Sequence, residues 1–585
     1  MRKKIEHILQ KALGAKAEFD VLIPEQEAFG HYSTNAALKL AKLEKKNPLE
    51  IAGQIVAKIE KIAPRGFFEK IEIANPGFIN FWISKEMLRK EFNKIAARPA
   101  CARNDGIKGA QFKNKKVIVE FTDPNPFKEF HIGHLYNNII GETLSRLLEA
   151  NGAKVKRANY QGDVGMHVAK AVWGMQEKMT REKTILSKLE KRTLEYRIRF
   201  MGESYAAGAR AYEENPGAKL EMVELNKKIF SLDRDIKDLY RKSRKWSLQY
   251  FERIYKRLGT KFDFYYFERE MGTRGLELVK AGLKKEIFME SEGAVIFPGE
   301  KYGLHARVFV NSYGLPTYEA KELGLAFKKR DDFPFDISVS VTGNEITDYF
   351  KVLVMALKQI DPRLSEKIRH IPHGMVRLPE GKMSSRTGDV IRAEDLLDDM
   401  KQRVLKVMKS TQKEKKRVRT ASPEIAEAIA VGAVKYSFLK SSPGSDIIFD
   451  FEKSLSLHGD SGPYLQYTYA RLKSILRKAK YATRDMRHAT RNTFLLNQEH
   501  ELRLIRKLVE FPETVRKAAE DYAPNHLATY LYEFGALANR YYESTPILKD
   551  KDKARRNARL VLVSTASAVL KSGLGLLGIK APEKI

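Results

Sequence analysis

The chain has 585 residues, 43% of them hydrophobic and 31% charged, with a formal net charge of +32 and a pI near 9.7. This length suffices for about three or four domains, each with its own hydrophobic core. The charge argues against an enzyme of neutral metabolites and favours a polyanionic partner, with nucleic acid as the leading candidate. General solubility or growth in unusual salt is the alternative explanation. A nucleic-acid partner predicts an affinity that falls steeply as salt rises.

The single cysteine, Cys101, excludes an intrachain disulfide and a zinc cluster built from cysteines. No apolar run is long enough to span a bilayer, and residues 1–6 continue into an amphipathic helix without the apolar core of a signal peptide. We therefore expect a soluble, cytoplasmic protein that has no membrane partner.

Residues 1–105 are predicted to form a small α+β domain. Helical spacing of apolar residues precedes two β-like runs, and a polar stretch at 103–106 is typical of a linker. The predicted helices span 5–13, 35–43 and 48–62, and the predicted strands span 70–74 and 78–83.

Residues 106–390 alternate between strand and helix patterns. A strand at 115–121, a helix at 135–151 and a strand at 154–160 make a βαβ unit, which requires a parallel sheet with a right-handed crossover. Ligands of such sheets bind beyond the carboxyl ends of the strands. Charged helix interrupts the sheet at about 173–255, and we expect the sheet to resume at 307–311, 336–341 and 368–378.

The pattern of residues 391–585 predicts amphipathic helices over almost the whole region. The predicted helices span 425–439, 464–480, 500–519, 526–542 and 560–570. Basic residues alternate with aromatic ones, as in Tyr464, Tyr467, Tyr469 and Arg471, and again in Arg540, Tyr541 and Tyr542. Such mixtures can stack bases and neutralise phosphates, although most are ordinary helix faces with buried aromatic rings.

The most informative motif is His131-Ile132-Gly133-His134, between an apolar strand and a helix. At a helix N-terminus, free backbone N–H groups and the helix dipole favour phosphate, and Gly133 leaves room for a nucleotide to approach. Alone, the motif is better explained as two polar residues near a helix start. A second motif, Lys382-Met383-Ser384-Ser385-Arg386, follows about 250 residues later. Together, in this order, they favour an enzyme that attaches an acid to the α-phosphate of ATP.

Residues 120–134, 159–163 and 382–386 resemble arginyl-tRNA synthetases, a family of class I aminoacyl-tRNA synthetases. The resemblance extends over essentially the whole chain, including residues 75–80 and 462–467. It implies an α/β fold: a Rossmann-like parallel-sheet catalytic domain, an N-terminal α+β domain that recognises the tRNA elbow, and a C-terminal α-helical anticodon-binding domain.

The resemblance implies that L-arginine reacts with ATP, accompanied by Mg²⁺, to give arginyl-adenylate and pyrophosphate. Arginine then passes to the 3′-terminal ribose of tRNA(Arg). Because the substrate carboxylate is already ionised, the site must supply alignment and positive potential and needs no general base. The implied catalytic residues are Lys128, His131, His134 and Lys382, and the implied ATP-binding residues are Gly133, Gly162, Asp163, Met383, Ser384 and Ser385.

An arginine pocket needs planar, bidentate acceptors, because the guanidinium is a fixed fork that keeps its charge. The resemblance assigns the amino and carboxylate end of arginine to Glu120 and Asn125. It assigns the side chain to Tyr318 and Glu322, four residues apart on one helix face, with Glu268 as a second carboxylate. Without the resemblance, Tyr318 and Glu322 would be read as an ordinary helix face.

Several residues depart from the family pattern. Lys321 stands where arginine is frequent, Tyr313 where an acidic residue is common, Ile346 where glutamine often lines the pocket, and Tyr136 where arginine is frequent. Ser385 replaces the second lysine of the general class I signature. Whether Tyr313, Lys321 and Ile346 alter the arginine pocket stays open at this point.

The expected tRNA contacts are Asn75, Phe78 and Asn80 at the elbow and the helical C-terminal region at the anticodon. The family pattern also implies a monomer whose activation of arginine requires bound tRNA.

Two alternatives remain. The first is another adenylylating enzyme, although a small nucleotidyltransferase has no need of a basic helical domain, and a cysteine-specific synthetase needs a metal-binding cysteine set. The second is an RNA-binding paralogue without catalysis, which the retention of His131, His134 and Lys382 argues against.

Overall fold

The N-terminal region folds as a four-stranded antiparallel sheet with helices packed against it. The computed structural model describes residues 1–14, 17–24, 26–97, 111–379, 391–414, 422–480 and 490–585. The elements of this region are α1 Arg2–Leu13, β1 Val21–Leu22, β2 Tyr32–Thr34, α2 Ala36–Glu44, α3 Pro48–Ile62, β3 Phe68–Ala74, β4 Phe78–Ile83 and α4 Lys85–Ala97. Helix α3 begins where the side chain of Asn47 accepts a hydrogen bond from the Leu49 amide and Pro48 occupies the first turn.

The catalytic region is built on a five-stranded parallel sheet in the spatial order β12-β11-β5-β6-β7. The strands of this region are β5 Lys116–Glu120, β6 Lys154–Gln161, β7 Phe264–Phe267, β8 Met289–Ser291, β9 Ala294–Phe297, β10 Arg307–Val310, β11 Ile337–Gly343 and β12 Ile368–His373. The predicted βαβ unit is confirmed, because β5 and β6 pair in parallel on either side of a helix.

Strand β5 lies at the centre of the sheet, and the chain changes direction there. From β5 the chain moves outward through β6 to β7, and it then returns to the other side of β5 through β11 and β12. This is the Rossmann order, whose ligand crevice opens at the carboxyl ends of the strands at the switch point. The crevice is therefore expected between the ends of β5 and β11, beside the segment that contains His131.

Helices surround the sheet and form the insertion between β6 and β7. They are α5 Ile132–Ala150, α6 Met166–Arg181, α7 Leu186–Glu190, α8 Leu194–Glu214, α9 Pro216–Ser231, α10 Arg234–Leu258, α11 Glu268–Leu283, α12 Tyr318–Asp332, α13 Thr347–Ile360 and α14 Pro362–Ser365. Helices α6 to α10 share an apolar core of their own, which includes Met175, Met222 and Trp246. The insertion predicted at about 173–255 is thus helical, as expected.

One strand assignment was wrong. The run at 307–311 was expected in the parallel sheet, but β10 pairs antiparallel with β9 in a separate three-stranded sheet between α11 and α12. The fifth strand of the parallel sheet is instead β7, which directly follows the insertion. The run predicted at 368–378 divides into β12 and a short strand, β13 Val376–Arg377, which belongs to another sheet.

The C-terminal part of the chain is mainly helical. Its elements are α15 Ala393–Glu414, α16 Pro423–Leu439, β14 Ile447–Ile448, α17 Phe451–Leu455, α18 Gly462–Lys478, α19 Glu499–Glu520, α20 Asn525–Ser544 and α21 Lys553–Leu576. By length and composition α21 could cross a membrane, so the expectation that no apolar run is long enough was wrong. However, 78% of its apolar window is buried inside the protein, which is typical of a core helix.

Residues beyond the predicted boundary at 390 still contact the catalytic region. Strand β14 pairs in parallel with β13, and the Ile132 amide donates a hydrogen bond of 2.9 Å to the carbonyl of Ile391. The buried ammonium of Lys435 on α16 donates to the carbonyls of Leu258, at 2.6 Å, and Gly578, at 2.8 Å. Because carbonyls near the ends of α10 and α21 accept hydrogen bonds from this one amine, it links the catalytic and C-terminal regions.

Candidate active site

The segment that joins β5 to α5 contains unusual backbone conformations. Thr122, Asp123 and Phe127 have φ angles of 80°, 42° and 71°, in the left-handed region that side chains other than glycine rarely adopt. Hydrogen bonds from neighbouring helices hold the segment: the Thr122 amide donates to Asn137 at 2.6 Å, and the Phe127 amide donates to Ser247 at 3.0 Å. Such strain persists only where the surroundings over-determine it, and it clusters at functional sites.

His131 and His134 form a capping box at the start of α5. Nδ1 of His131 accepts from the amides of Gly133, at 3.1 Å, and His134, at 3.4 Å, while the His131 amide donates to Nδ1 of His134 at 3.3 Å. The two rings are stacked with centroids 3.6 Å apart. The predicted placement of both histidines at a helix N-terminus is therefore confirmed.

Both imidazoles are neutral near pH 7. Burial, together with the charge of Lys128, lowers the pKa of His131 to about 4, and burial and His131 lower the pKa of His134 well below its usual value. Because each Nδ1 accepts a hydrogen bond, each neutral ring carries its proton on Nε2. The Nε2–H groups, which the capping box does not use, can donate to an anion at the N-terminus of α5.

Gly133 also leaves room for the capping box itself. A Cβ atom at this position would lie 3.0 Å from both Cε1 and Nδ1 of His131, which is tighter than ordinary side-chain contacts. Sequence reasoning had explained this glycine only by the room that a nucleotide needs. Lys128 lies beside the histidines, since its charge lowers their pKa values, and its ammonium lies 5.0 Å from the ring of Tyr205 on α8.

Gly162, at the carboxyl end of β6, lies against two predicted arginine-binding residues. A Cβ atom on Gly162 would lie 2.2 Å from Oδ1 of Asn125 and 3.1 Å from Oε1 of Glu268. The structure therefore brings Asn125, Gly162 and Glu268 together, although they are distant in sequence. Close approach of these polar atoms is possible only because residue 162 has no side chain.

Asp163 is buried and held by protein groups. Its Oδ2 atom accepts from the Tyr240 hydroxyl at 2.9 Å and lies 3.1 Å from Nε of Arg244, while its Oδ1 atom accepts from the Arg269 amide at 3.1 Å. These contacts join the end of β6 to α10 and α11. They give the carboxylate a structural role that the ATP-binding prediction did not anticipate.

Two of the predicted carboxylates are paired with buried lysines. Oε2 of Glu120 lies 2.8 Å from the ammonium of Lys329, and Oε2 of Glu268 lies 2.7 Å from the ammonium of Lys321. All four side chains are less than 10% exposed, so each pair is nearly neutral overall in a setting where a lone charge would be costly. Lys321, the departure from the family's arginine, therefore neutralises Glu268.

Glu322 and Asp123 form no ion pair among the described residues, although the charge of Lys329 acts on both from further away. Burial, and then the charge of Glu120, raise the pKa of both groups well above their usual values. Tyr318, one helical turn before Glu322, is 54% exposed at the start of α12, and the Lys321 ammonium lies 4.8 Å from its ring. A bound cation would offset the electrostatic cost of ionising Glu322.

Sequence reasoning missed two tyrosines at this edge. The hydroxyl oxygens of Tyr160 and Tyr349 are buried and have no hydrogen-bond partner among the described residues. The charges of Glu268, Glu322 and Glu120 contribute to raising the pKa of both phenols, although burial is the largest cause. Tyr160 lies inside the family-like segment 159–163, but neither that segment nor the helical pattern around Tyr349 indicates that the hydroxyl is buried without a partner.

The second motif lies outside the described residues. It contains four of the predicted site residues, Lys382, Met383, Ser384 and Ser385. The chain that follows it is described. The carbonyl of Phe130 accepts from the Ala393 amide at 2.9 Å, and His131 and Arg392 form an antiparallel bridge. The chain thus returns to the first motif six residues after Ser385.

The three predicted elbow residues differ in exposure. Asn75 is exposed in the turn between β3 and β4, and Phe78 is half-buried. Asn80 lies within β4, between β2 and β3, and is only 3% exposed. A direct contact between Asn80 and tRNA is therefore at odds with its position, because the strand partners enclose it.

An arginine between two exposed tyrosines lies on the C-terminal helices. The guanidinium of Arg471 on α18 lies 5.0 Å from the ring of Tyr467 and 5.1 Å from the ring of Tyr542 on α20. The tyrosines are 36% and 38% exposed. By contrast, Tyr469 and Tyr541 are buried, as the ordinary helix-face interpretation predicted.

The Rossmann order, with a histidine pair at the helix start beside its switch point, has the form of a class I aminoacyl-tRNA synthetase core. Family models agree: "tRNA synthetases class I (R), catalytic domain" matches residues 100–451, "DALR anticodon binding domain" matches 465–585, and "Arginyl tRNA synthetase N terminal domain" matches 1–83. The chain belongs to the arginyl-tRNA synthetase family, soluble translation enzymes that charge tRNA with arginine.

Known arginine–tRNA ligases match this chain over nearly its full length. The chain is 34% identical to the arginine–tRNA ligase of Treponema denticola, over 93% of this chain and 91% of that protein. It is 31% identical to that of Halothermothrix orenii, over 100% and 96%. The solved Thermus thermophilus arginyl-tRNA synthetase matches with a TM-score of 0.81, 25% identity and 100% coverage of both chains. The catalytic match extends to residue 451, beyond the predicted boundary at 390.

Proposed function

We propose that the stacked histidines at the start of α5 hold ATP while the carboxylate of arginine attacks its α-phosphorus. The Nε2–H groups of His131 and His134 donate to phosphate oxygens, and Lys128 supplies positive charge beside them. A carboxylate oxygen forms the new bond to phosphorus, the bond to the bridging oxygen breaks, and pyrophosphate leaves. Lys382 of the second motif is proposed to neutralise the pyrophosphate. The observation that carries this proposal is the capping box, because it uses both Nδ1 atoms inside the protein.

The arginine side chain is proposed to bind at Glu322, a buried carboxylate that forms no ion pair with a described lysine or arginine, although the charge of Lys329 acts on it from further away. Tyr318 covers the entrance, and Asn125 receives the amino and carboxylate end. Glu120 and Glu268 each use Oε2 for a lysine, so we assign only their Oε1 atoms to the substrate. A neutral amino acid would leave the negative charge of this crevice without a cationic partner, which opposes its binding.

In the second step, a hydroxyl of the terminal ribose of tRNA(Arg) attacks the arginyl carbonyl, and AMP leaves. We propose that Tyr467, Arg471 and Tyr542 meet the anticodon bases, since exposed rings beside a guanidinium suit unstacked bases. Asn75 and Phe78 are proposed to contact the tRNA elbow.

We further propose domain limits of 1–105, 106–390 and 391–585, a monomeric state and a cytoplasmic location.

Magnesium is proposed to enter with ATP. Among the described residues, no group of three or more histidine, cysteine, aspartate or glutamate side chains could hold a metal ion. Mg²⁺ does not need such a group, because it commonly keeps several waters and binds through substrate phosphates. The ion would neutralise phosphate charge, while the chain's own residues orient the nucleotide.

The decisive experiment is ATP–pyrophosphate exchange with each amino acid, with and without total tRNA, followed by charging of purified tRNA(Arg). We expect exchange with arginine alone among the amino acids, and only when tRNA is present. Exchange with another amino acid would contradict the pocket assignment. Full-speed exchange without tRNA would contradict the expected coupling, and RNA binding without turnover would favour the non-catalytic alternative.

A further inference from the structure

Two phenol groups at the substrate crevice are buried without hydrogen-bond partners. The oxygen atoms of Tyr160 and Tyr349 are shielded from solvent, and no described residue bonds to either. An unsatisfied buried hydroxyl costs about 1–3 kcal/mol, so native proteins keep few of them. A ligand bound at this edge of the sheet can complete both groups at once.

Both side chains lie around the carboxylates of the crevice. Tyr160 is two residues from Gly162, where a Cβ atom would lie 3.1 Å from Oε1 of Glu268, and the Tyr160 amide donates to Asp123 at 2.8 Å. Tyr349 is in the first turn of α13 and adjoins Phe350, which lines a cavity of about 20 Å³ together with Glu322. Tyr160 belongs to the apolar cluster that includes residues of α12 and α13, and Tyr349 packs against that cluster.

The phenols stay protonated at neutral pH, because burial and then the neighbouring carboxylates raise the pKa of each well above its usual value. Each hydroxyl can therefore donate its proton to a carboxylate while its oxygen accepts another hydrogen bond. A guanidinium offers five N–H donors in one plane, more than a single carboxylate can accept. An ammonium offers three donors from a single atom, so its donors span a smaller region and are not arranged in a plane.

We propose that the hydroxyl oxygens of Tyr160 and Tyr349 accept hydrogen bonds from the guanidinium of arginine and, with Glu322, determine specificity for its planar fork. This inference rests on the proposed binding of arginine at Glu322. It adds two neutral acceptors to the charged one, so that shape as well as charge selects the substrate. Removing either oxygen should weaken arginine binding without altering the reacting groups.

The test uses Tyr160→Phe and Tyr349→Phe in the full chain, assayed by charging of tRNA(Arg). We expect the KM for arginine to rise about tenfold or more in each variant, as for loss of a hydrogen bond to a charged group, while kcat changes less than about threefold. Preference for arginine over lysine should fall with KM. The melting temperature without substrates should stay the same or rise, because each substitution removes an unsatisfied polar group.

Tyr541→Phe is the matched control, because its hydroxyl is also buried without a described partner but lies on α20, in the C-terminal region. It should leave the KM for arginine unchanged. The rise in melting temperature caused by saturating arginine and tRNA gives a second readout, which should shrink in the crevice variants only. A KM for arginine within twofold of the parent in both crevice variants would overturn the inference. Failure of the parent enzyme to charge arginine would instead overturn the proposed function.

Discussion

Lys128 is the cation closest in sequence to the histidine pair, and its charge lowers the pKa of both rings. We expect Lys128→Met to reduce the rate of arginine activation about 100-fold with the KM for ATP changed less than threefold. The reason is that negative charge builds on the phosphates during the attack, so the ammonium acts mostly on the transition state. Pyrophosphate exchange in the presence of tRNA measures both quantities.

Lys219→Met provides the control for this variant. Its ammonium lies 5.2 Å from the ring of Tyr212, much as that of Lys128 lies 5.0 Å from Tyr205, but it is on the insertion helix α9. The control should keep the activation rate. If Lys128→Met behaves in the same way, Lys128 is an ordinary solvated lysine.

Gly133 allows a second test at the scale of single residues. A Cβ atom there would press on the His131 ring at 3.0 Å, so Gly133→Ala should displace the ring and reduce activation at least tenfold. Gly217 is the matched control, because it too is the second residue of a helix, and a Cβ atom there would lie 3.3 Å from Oδ1 of its N-cap residue, Asn215. Gly217→Ala should retain activity and gain some helix stability. Equal activity in the two variants would show that the box tolerates displacement.

At this scale the sequence predicted the local features and missed the long-range ones. The position of His131 and His134 followed from a strand and a helix that adjoin them. The pairing of Glu120 with Lys329 joins residues 209 positions apart, and no local pattern reports it. The unpartnered hydroxyl of Tyr349 was equally hidden, because an unsatisfied hydroxyl becomes visible only when all neighbours are in place.

Among whole elements, helices were predicted better than short strands. The predicted helix at 48–62 matches α3, because an asparagine cap and a proline mark its start. The run at 307–311 was correctly predicted as a strand, but a five-residue pattern does not indicate which sheet the strand joins or in which direction. Strand β7 was missed, since its sequence Phe264-Tyr265-Tyr266-Phe267 has no alternation of polar and apolar residues.

The paired helices α18 and α20 allow a test of the anticodon surface. Arg471→Gln should raise the KM for tRNA about fivefold or more and leave the KM values for arginine and ATP unchanged, because it removes a cation flanked by two exposed rings. Charging kinetics with each substrate varied in turn measures the three constants. Arg403→Gln is the control, since its guanidinium lies 4.6 Å from the ring of Phe451, on α15 and α17. An unchanged KM for tRNA would leave Arg471 as part of an ordinary helix face.

The stability of the whole molecule should depend on pH through its buried histidines. Burial lowers the pKa of His31, His131, His167 and His370 to about 4, so the folded protein leaves them neutral where the unfolded chain, with its ordinary value near 6.5, takes up protons. The stability that the folded protein gains by keeping these histidines neutral is fully present above pH 6.5, and it is lost as the pH falls towards 4. The slope for each group reaches about 1.4 kcal/mol per pH unit.

Buried carboxyl groups such as Glu322 act in the opposite direction, because their raised pKa values let the folded protein bind protons first. A single histidine therefore has to be isolated by difference. His370 suits this purpose: its ring stacks on Phe350 with centroids 4.0 Å apart, and its Nε2 lies 2.6 Å from the hydroxyl of Thr342. We expect the free energy of unfolding of His370→Gln, measured by denaturant titration, to fall less steeply between pH 6.5 and 4 than that of the parent. The exposed His458, changed to glutamine, should keep the parent's slope, and equal slopes for all three proteins would mean that the His370 ring is protonated inside the fold.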